Sequence, residues 1–99
     1  MSQSKEQQFW NAADEGDLSV VKNLAADTTL DINWRGDMGL TAFNDACYEG
    51  HKEVVSLLLL TDMRIDINMP DNNQCTPLWM ASYEGHLPIV QLILASGRY

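Results

Sequence analysis

Ala46-Cys47-Tyr48-Glu49-Gly50-His51 returns 35 positions later as Ala81-Ser82-Tyr83-Glu84-Gly85-His86. A word repeated at that distance describes a chain built from stacked copies of one small unit, because self-similarity with a period of roughly 20–50 residues marks solenoids and related arrays. The copy extends both ways. Leu40-Thr41-Ala42-Phe43 matches Cys75-Thr76-Pro77-Leu78 upstream, and Glu53 to Leu58 matches Pro88 to Ile93 downstream. Asp31-Ile32-Asn33 recurs as Asp66-Ile67-Asn68. A fainter copy opens the chain, with Ala12 to Gly16 aligned on Ala46 to Gly50 and Val20 to Leu24 on Val54 to Leu58. Gly16, Gly50 and Gly85 therefore mark three units.

Each unit reads as helix, turn, helix and a long polar connection. Thr41 and Thr76 are suited to cap a helix, since a hydroxyl there accepts from an unpaired backbone amide. Pro77 follows at the first helical position, where its missing N–H costs nothing. Gly50 and Gly85 suit the left-handed residue that ends a helix. The second helix, from Glu53 or Pro88, carries apolar rows (Val54, Val55, Leu57, Leu58 and Leu59; Ile89, Val90, Leu92, Ile93 and Leu94) that pack on neighbouring units. Asp, Asn, Gly and Pro then cluster over Asn33–Gly39 and Asn68–Gln74 as turn signals.

Thr76-Pro77-Leu78-Trp79-Met80-Ala81, with Gly85-His86 and the preceding Asp66-Ile67-Asn68 and Asp71, resembles the ankyrin repeat, a β-turn and two antiparallel helices with a T-P-L-H-x-A motif. The resemblance runs from about Gln7 onward. It implies an all-α repeat solenoid of about three stacked helix-turn-helix units with β-turn or hairpin connections, in a single domain over residues 1–99. The units are expected at about 5–38 (a capping repeat), 39–73, and 74–99 (truncated and uncapped). Three departures stand out. The motif His is replaced by Asn44 and Trp79, so that its bond to the loop is expected to be absent or altered. The turn glycine Gly39 becomes Gln74, which must bear a strained or a different turn. Extra residues after the second helices, near Asp27–Thr29 and Thr61–Arg64, lengthen the period beyond the family's roughly 33 residues.

Fourteen acids against six bases give a formal charge of −8, which disfavours nucleic acid and anionic membranes as partners. No apolar run approaches the roughly 18 residues of a membrane span, and the first six residues lack the apolar core of a secretory signal. Cys47 and Cys75 occupy non-equivalent positions, which points to two reduced thiols and a cytoplasmic setting, with the nucleus as the alternative. The last unit keeps internal-type apolar residues (Ile89, Val90, Ile93 and Leu94) and reaches Tyr99 where a further hairpin would begin. The reading that follows is an N-terminal piece of a longer array.

No enzyme constellation is expected. Cys47 aligns with Ala13 and Ser82 in a small-residue packing slot and has no base and acid beside it. His51 and His86 recur at one place per unit, as turn or packing residues, and no further ligand gives zinc spacing. No paired metal carboxylates are evident, so no catalytic, metal or cofactor site is expected. Trp10 and Trp79 share a motif position and are assigned to packing between helix layers.

By family geometry, the end of each first helix lines a concave surface of the kind repeat proteins use for binding. This places Tyr48 and Glu49, then Tyr83 and Glu84, on a partner-binding face, with Asp14 and Glu15 beside them in the first unit. The hairpin tips add Trp34, Arg35, Asp37 and Met38, then Met69, Asn72 and Asn73. The competing reading of Trp34 folds it back over Leu30 or Ile32. The expected function is a non-catalytic protein–protein interaction module for a protein or peptide with basic residues. Two alternatives are a regulatory or targeting end of a larger multidomain protein, including an enzyme, and a homodimer through the last repeat.

Overall fold

Three hydroxyl side chains begin the first helix of each unit. Ser4, Thr41 and Thr76 accept through their Oγ atoms from the amides of Gln7, Asn44 and Trp79 at 3.1, 3.1 and 3.2 Å. The sequence reading anticipated the two threonines. Ser4 lies twelve residues before its glycine instead of nine, so the first helix gains about one turn and keeps its register.

The computed structural model describes residues 3–99. Its helices are α1 (Lys5–Glu15), α2 (Leu18–Ala25), α3 (Ala42–Glu49), α4 (Lys52–Thr61), α5 (Pro77–Tyr83) and α6 (Leu87–Ser96), with one 3₁₀ turn at Asp37–Gly39. No strand forms among the described residues, so the connections are turns and not β-hairpins. Each odd helix pairs with the next even one. The pairs then stack in two layers, α1 on α3 on α5, and α2 on α4 on α6. The resulting core runs through Phe9, Val21, Phe43, Val55, Leu58, Ile89 and Ile93. Each such side chain contributes roughly 1.5–3 kcal/mol by leaving water.

Small residues let the first-helix layer close up. Ala13, Ala46, Cys47 and Ala81 have no accessible surface. Ser82 occupies the same slot as Ala13 and Cys47 but is exposed, because no helix packs beyond α5. Burial also pushes the Cys47 thiol far above its ordinary pKa, so it is an inert packing residue.

The Gly-His pairs join one unit to the next. His51 donates from Nε2 to the main-chain oxygen of Asp14 at 2.7 Å, and His86 to that of Tyr48 at 2.9 Å. Each ring lies over the preceding unit's glycine, so a Cβ on Gly16 or Gly50 would come within 2.7 or 2.6 Å of ring atoms. Both glycines also hold positive φ, at 75° and 84°. The expectation that these histidines are packing residues is extended here to a specific inter-unit bond.

Two arginines form a second set of links. Arg64 donates to the oxygens of Ala25 and Asp27 at 2.6 and 3.1 Å. Arg98, the residue 34 positions on, donates to Leu59, Asp62 and Ile65 at 2.6, 3.3 and 2.8 Å. Each binds carbonyls at or just beyond the end of the preceding second helix, where main-chain oxygens lack intrahelical partners or keep a free lone pair. The residues that lengthen the period near Arg64 therefore have a structural use.

Candidate functional site

Two polar tips and the layer of first helices enclose the groove that forms the candidate site. In the second tip, Asp71 Oδ1 accepts from the amides of Asn73 and Cys75 at 2.8 and 2.9 Å, closing the turn on a nearly buried carboxylate. Gln74 sits at φ 66° in that turn, so of the two alternatives it bears the strained, left-handed one. Such a conformation costs roughly 1–2 kcal/mol for a residue with a side chain. The first tip differs, because Met38 (φ 62°) precedes Gly39 (φ 75°) in the same region. Gly36 stands where the second tip has Asp71. A Cβ there would lie 2.8 Å from the indole nitrogen of Trp10, which donates to Leu40 at 2.9 Å.

The groove has a volume of about 440 Å³ and lies between these tips and the helices α3 and α5. Met38 and Leu40 come from the first tip, Asp71, Asn73 and Cys75 from the second. Asp45 and Tyr48 come from α3, Trp79, Met80 and Tyr83 from α5, and Glu84 from the cap at its C-terminus. Of the residues singled out from sequence, Met38, Tyr48, Asn73, Tyr83 and Glu84 thus share one concavity. Glu49 is exposed next to it, and Asp37 lies close enough to act electrostatically on Asp45.

Other candidates have structural partners. Arg35 spans the tips, donating to Gly39 and Pro70 oxygens at 2.9 and 3.1 Å and reaching Asn72 Oδ1 at 3.5 Å. The Asn72 amide donates to Met38 at 3.0 Å, and the Met69 oxygen accepts from Asn44 Nδ2 at 2.9 Å. These residues brace the tips. Trp34 is half-buried against the core, which corrects its placement as a displayed aromatic. Its indole leaves water by packing inward.

Trp79 is corrected in the opposite direction. Its equivalent, Trp10, is buried beneath the first tip, and Asn44 likewise bonds to the second, but no tip covers Trp79. It is 51% exposed and stacks on Tyr83, one helical turn away, with ring centroids 4.9 Å apart and planes 12° from parallel. An aromatic pair in this geometry is worth roughly 0.5–1.5 kcal/mol beyond its area, so the two rings hold each other in place while both face solvent.

Asp45 was not singled out from the sequence. It is 3% exposed on α3, and its Oδ2 has no hydrogen-bond partner. Carboxylate oxygens of Asp14, Asp45 and Glu49 all lie within 4.8 Å of one another. Burial, then the facing Asp14 carboxyl, then the charges of Glu49 and Asp37 push Asp45 up to about 8, so Asp45 holds a proton that Asp14 can share. The sequence signal was there: Asp45 is the one charged residue in Ala42–Cys47, at the place filled by Asn11 and Met80 in the other units.

The family model described as Ankyrin repeats (3 copies) matches residues 9–99 of this chain. No curated protein matches it. Among the described residues, no helix is long and apolar enough to cross a membrane.

Proposed function

This chain belongs to the ankyrin-repeat family, whose repeats are in general protein-interaction modules, and from that premise we propose that it binds a protein segment along the groove between the tips and the first helices. The observation that carries this reading is the row of exposed aromatics, Tyr48, Tyr83 and Trp79, along a concavity edged by Glu49 and Glu84. Tyr and Trp offer large contact area with few rotamers to freeze, and they are enriched at binding hot spots. The acidic edge favours a partner with basic residues and speeds its approach. In this reading the module is non-catalytic and acts in the cytoplasm, in keeping with its two unpaired thiols. Affinity capture of partners from native lysate, repeated with a Tyr48→Ala/Tyr83→Ala variant, tests it. A partner lost with the variant supports the groove, and equal capture by both proteins contradicts it.

A second reading is self-association through the last repeat. Leu87 and Leu94 on α6 are exposed, at 65% and 46%. Light scattering over a dilution series decides this, and a monomer at every concentration refutes it.

A further inference from the structure

We propose that the end face of the last unit docks a histidine-bearing helical hairpin of another protein, whose imidazole lies over Gly85 and donates to the main-chain oxygen of Tyr83. This interaction is separate from binding in the groove and does not depend on it.

The molecule makes this contact twice within itself. His51 lies over Gly16 and donates to Asp14, and His86 lies over Gly50 and donates to Tyr48. Arg64 and Arg98 add a second donor, each 2.6 Å from the oxygen of Ala25 or Leu59. Both contacts tie an incoming helix pair onto the pair before it. The third set of acceptors is in place. Gly85 holds the same positive φ, 77°, and nothing lies within 4 Å of where its Cβ would be. The Leu87 amide turns to Gly85 and the Arg98 amide to Ser96 Oγ. The oxygens of Tyr83 and Leu94, four residues earlier in each case, therefore lose their helical donors and look to an outside one.

The surface around these oxygens continues an interface that the chain already uses. In the second unit Cys47, Val55 and Leu59 are buried where α5 and α6 pack on α3 and α4. Their counterparts in the third unit are Ser82, Val90 and Leu94. Ser82 is exposed and Val90 half-buried, while Leu94 is 46% exposed against 1% for Leu59. A terminal repeat ordinarily turns a polar face outward. This one is apolar and poor in charge: of fourteen acids and six bases, only Glu84 and Arg98 follow Gln74.

With little charge to steer a partner, the polar requirement of the face is a hydrogen-bond donor on a flat group. An imidazole supplies both, because its ring fits over a residue without a Cβ and its N–H reaches the carbonyl beyond. A second copy of this chain arriving head to tail does not. At the place of His51 and His86 its first unit has Asp17, whose carboxylate accepts hydrogen bonds and would face the Tyr83 oxygen, another acceptor.

NMR titration of the whole chain with Nα-acetyl-histidine methylamide tests this. Nα-acetyl-phenylalanine methylamide, which keeps a flat ring and lacks the ring N–H, is run in parallel. The expected result is saturable movement of the Gly85 amide and Tyr83 carbonyl signals with the histidine probe alone. Gly16 and Gly50, under the chain's own rings, should not respond. Gly85→Ala keeps the fold, since nothing lies near its Cβ, yet sets a methyl where the ring would sit. Affinity for the histidine probe should fall at least about tenfold in it. No movement with the histidine probe, equal movement with the phenylalanine probe, or equal binding by Gly85→Ala would each overturn the proposal. Two-helix hairpins selected on the whole chain from a random library give a second measurement. Those released by Gly85→Ala should carry a histidine at the start of their second helix. Hairpins without one, or a dimer of the chain that buries Leu94, would overturn the proposal. Tyr48→Ala/Tyr83→Ala keeps the Tyr83 main-chain oxygen and should bind the histidine probe as the native chain does, which separates a failure of the groove from a failure of this site.

Discussion

His86 reaches back 38 positions to place its Nε2 2.9 Å from the main-chain oxygen of Tyr48, with its ring over Gly50. His51 does the same to Asp14 and Gly16. Gly85 has the same positive φ, 77°, but nothing lies within 4 Å of where its Cβ would be. The two glycines therefore separate backbone strain from inter-unit contact. Gly85→Ala should cost about 1 kcal/mol, the left-handed penalty alone. Gly50→Ala should cost about 2–4 kcal/mol, because the new methyl also displaces the His86 ring. Thermal unfolding of both variants checks this, and equal losses would show that the histidine contact adds nothing.

The repeat word was legible because architecture recurs: caps, glycines, histidines and apolar rows all return at a fixed spacing. What did not recur was harder to read. Trp10 and Trp79 share a motif position, yet the tip that follows buries one and no tip covers the other. Trp34 on a polar turn reads as displayed until the turn is seen to fold it inward. Asp45 is invisible to a search for matched positions because its counterparts are Asn11 and Met80. Its significance comes from Asp14, a residue of another unit brought close by stacking.

The two tryptophans should respond differently to removal. Trp10→Ala loses a buried ring and its bond to Leu40, and should cost about 3–5 kcal/mol. Trp79→Ala uncovers one face of Tyr83 and should cost no more than about 1 kcal/mol. Urea denaturation of each distinguishes them. A Trp79 variant as unstable as the Trp10 variant would place Trp79 in the core.

Asp45 makes stability depend on pH in a defined direction. Its folded pKa is raised from 3.8 to about 8, so the folded chain keeps a proton that the unfolded chain releases. The stability associated with that proton is present below the unfolded pKa and is lost as pH climbs toward the folded one. Asp27, held down to about 2 first by the Thr29 hydroxyl, works oppositely and only at acid pH. Asp45→Asn should therefore gain on the native chain between about pH 5 and pH 8, reaching about 1–3 kcal/mol. Melting curves across that range would show a constant difference if Asp45 did not titrate there.

The central claim is that the concave groove, through its tyrosines, is the binding face. The most direct measurement is the Kd of a groove-selected peptide for the native chain and for Tyr48→Ala/Tyr83→Ala, with the Tm of both proteins in the same buffer. Both tyrosines are exposed, at 45% and 72%, so Tm should move by no more than a few degrees, while Kd rises at least about tenfold. An unchanged Kd, or a loss of binding matched by a collapse in Tm, would contradict the account.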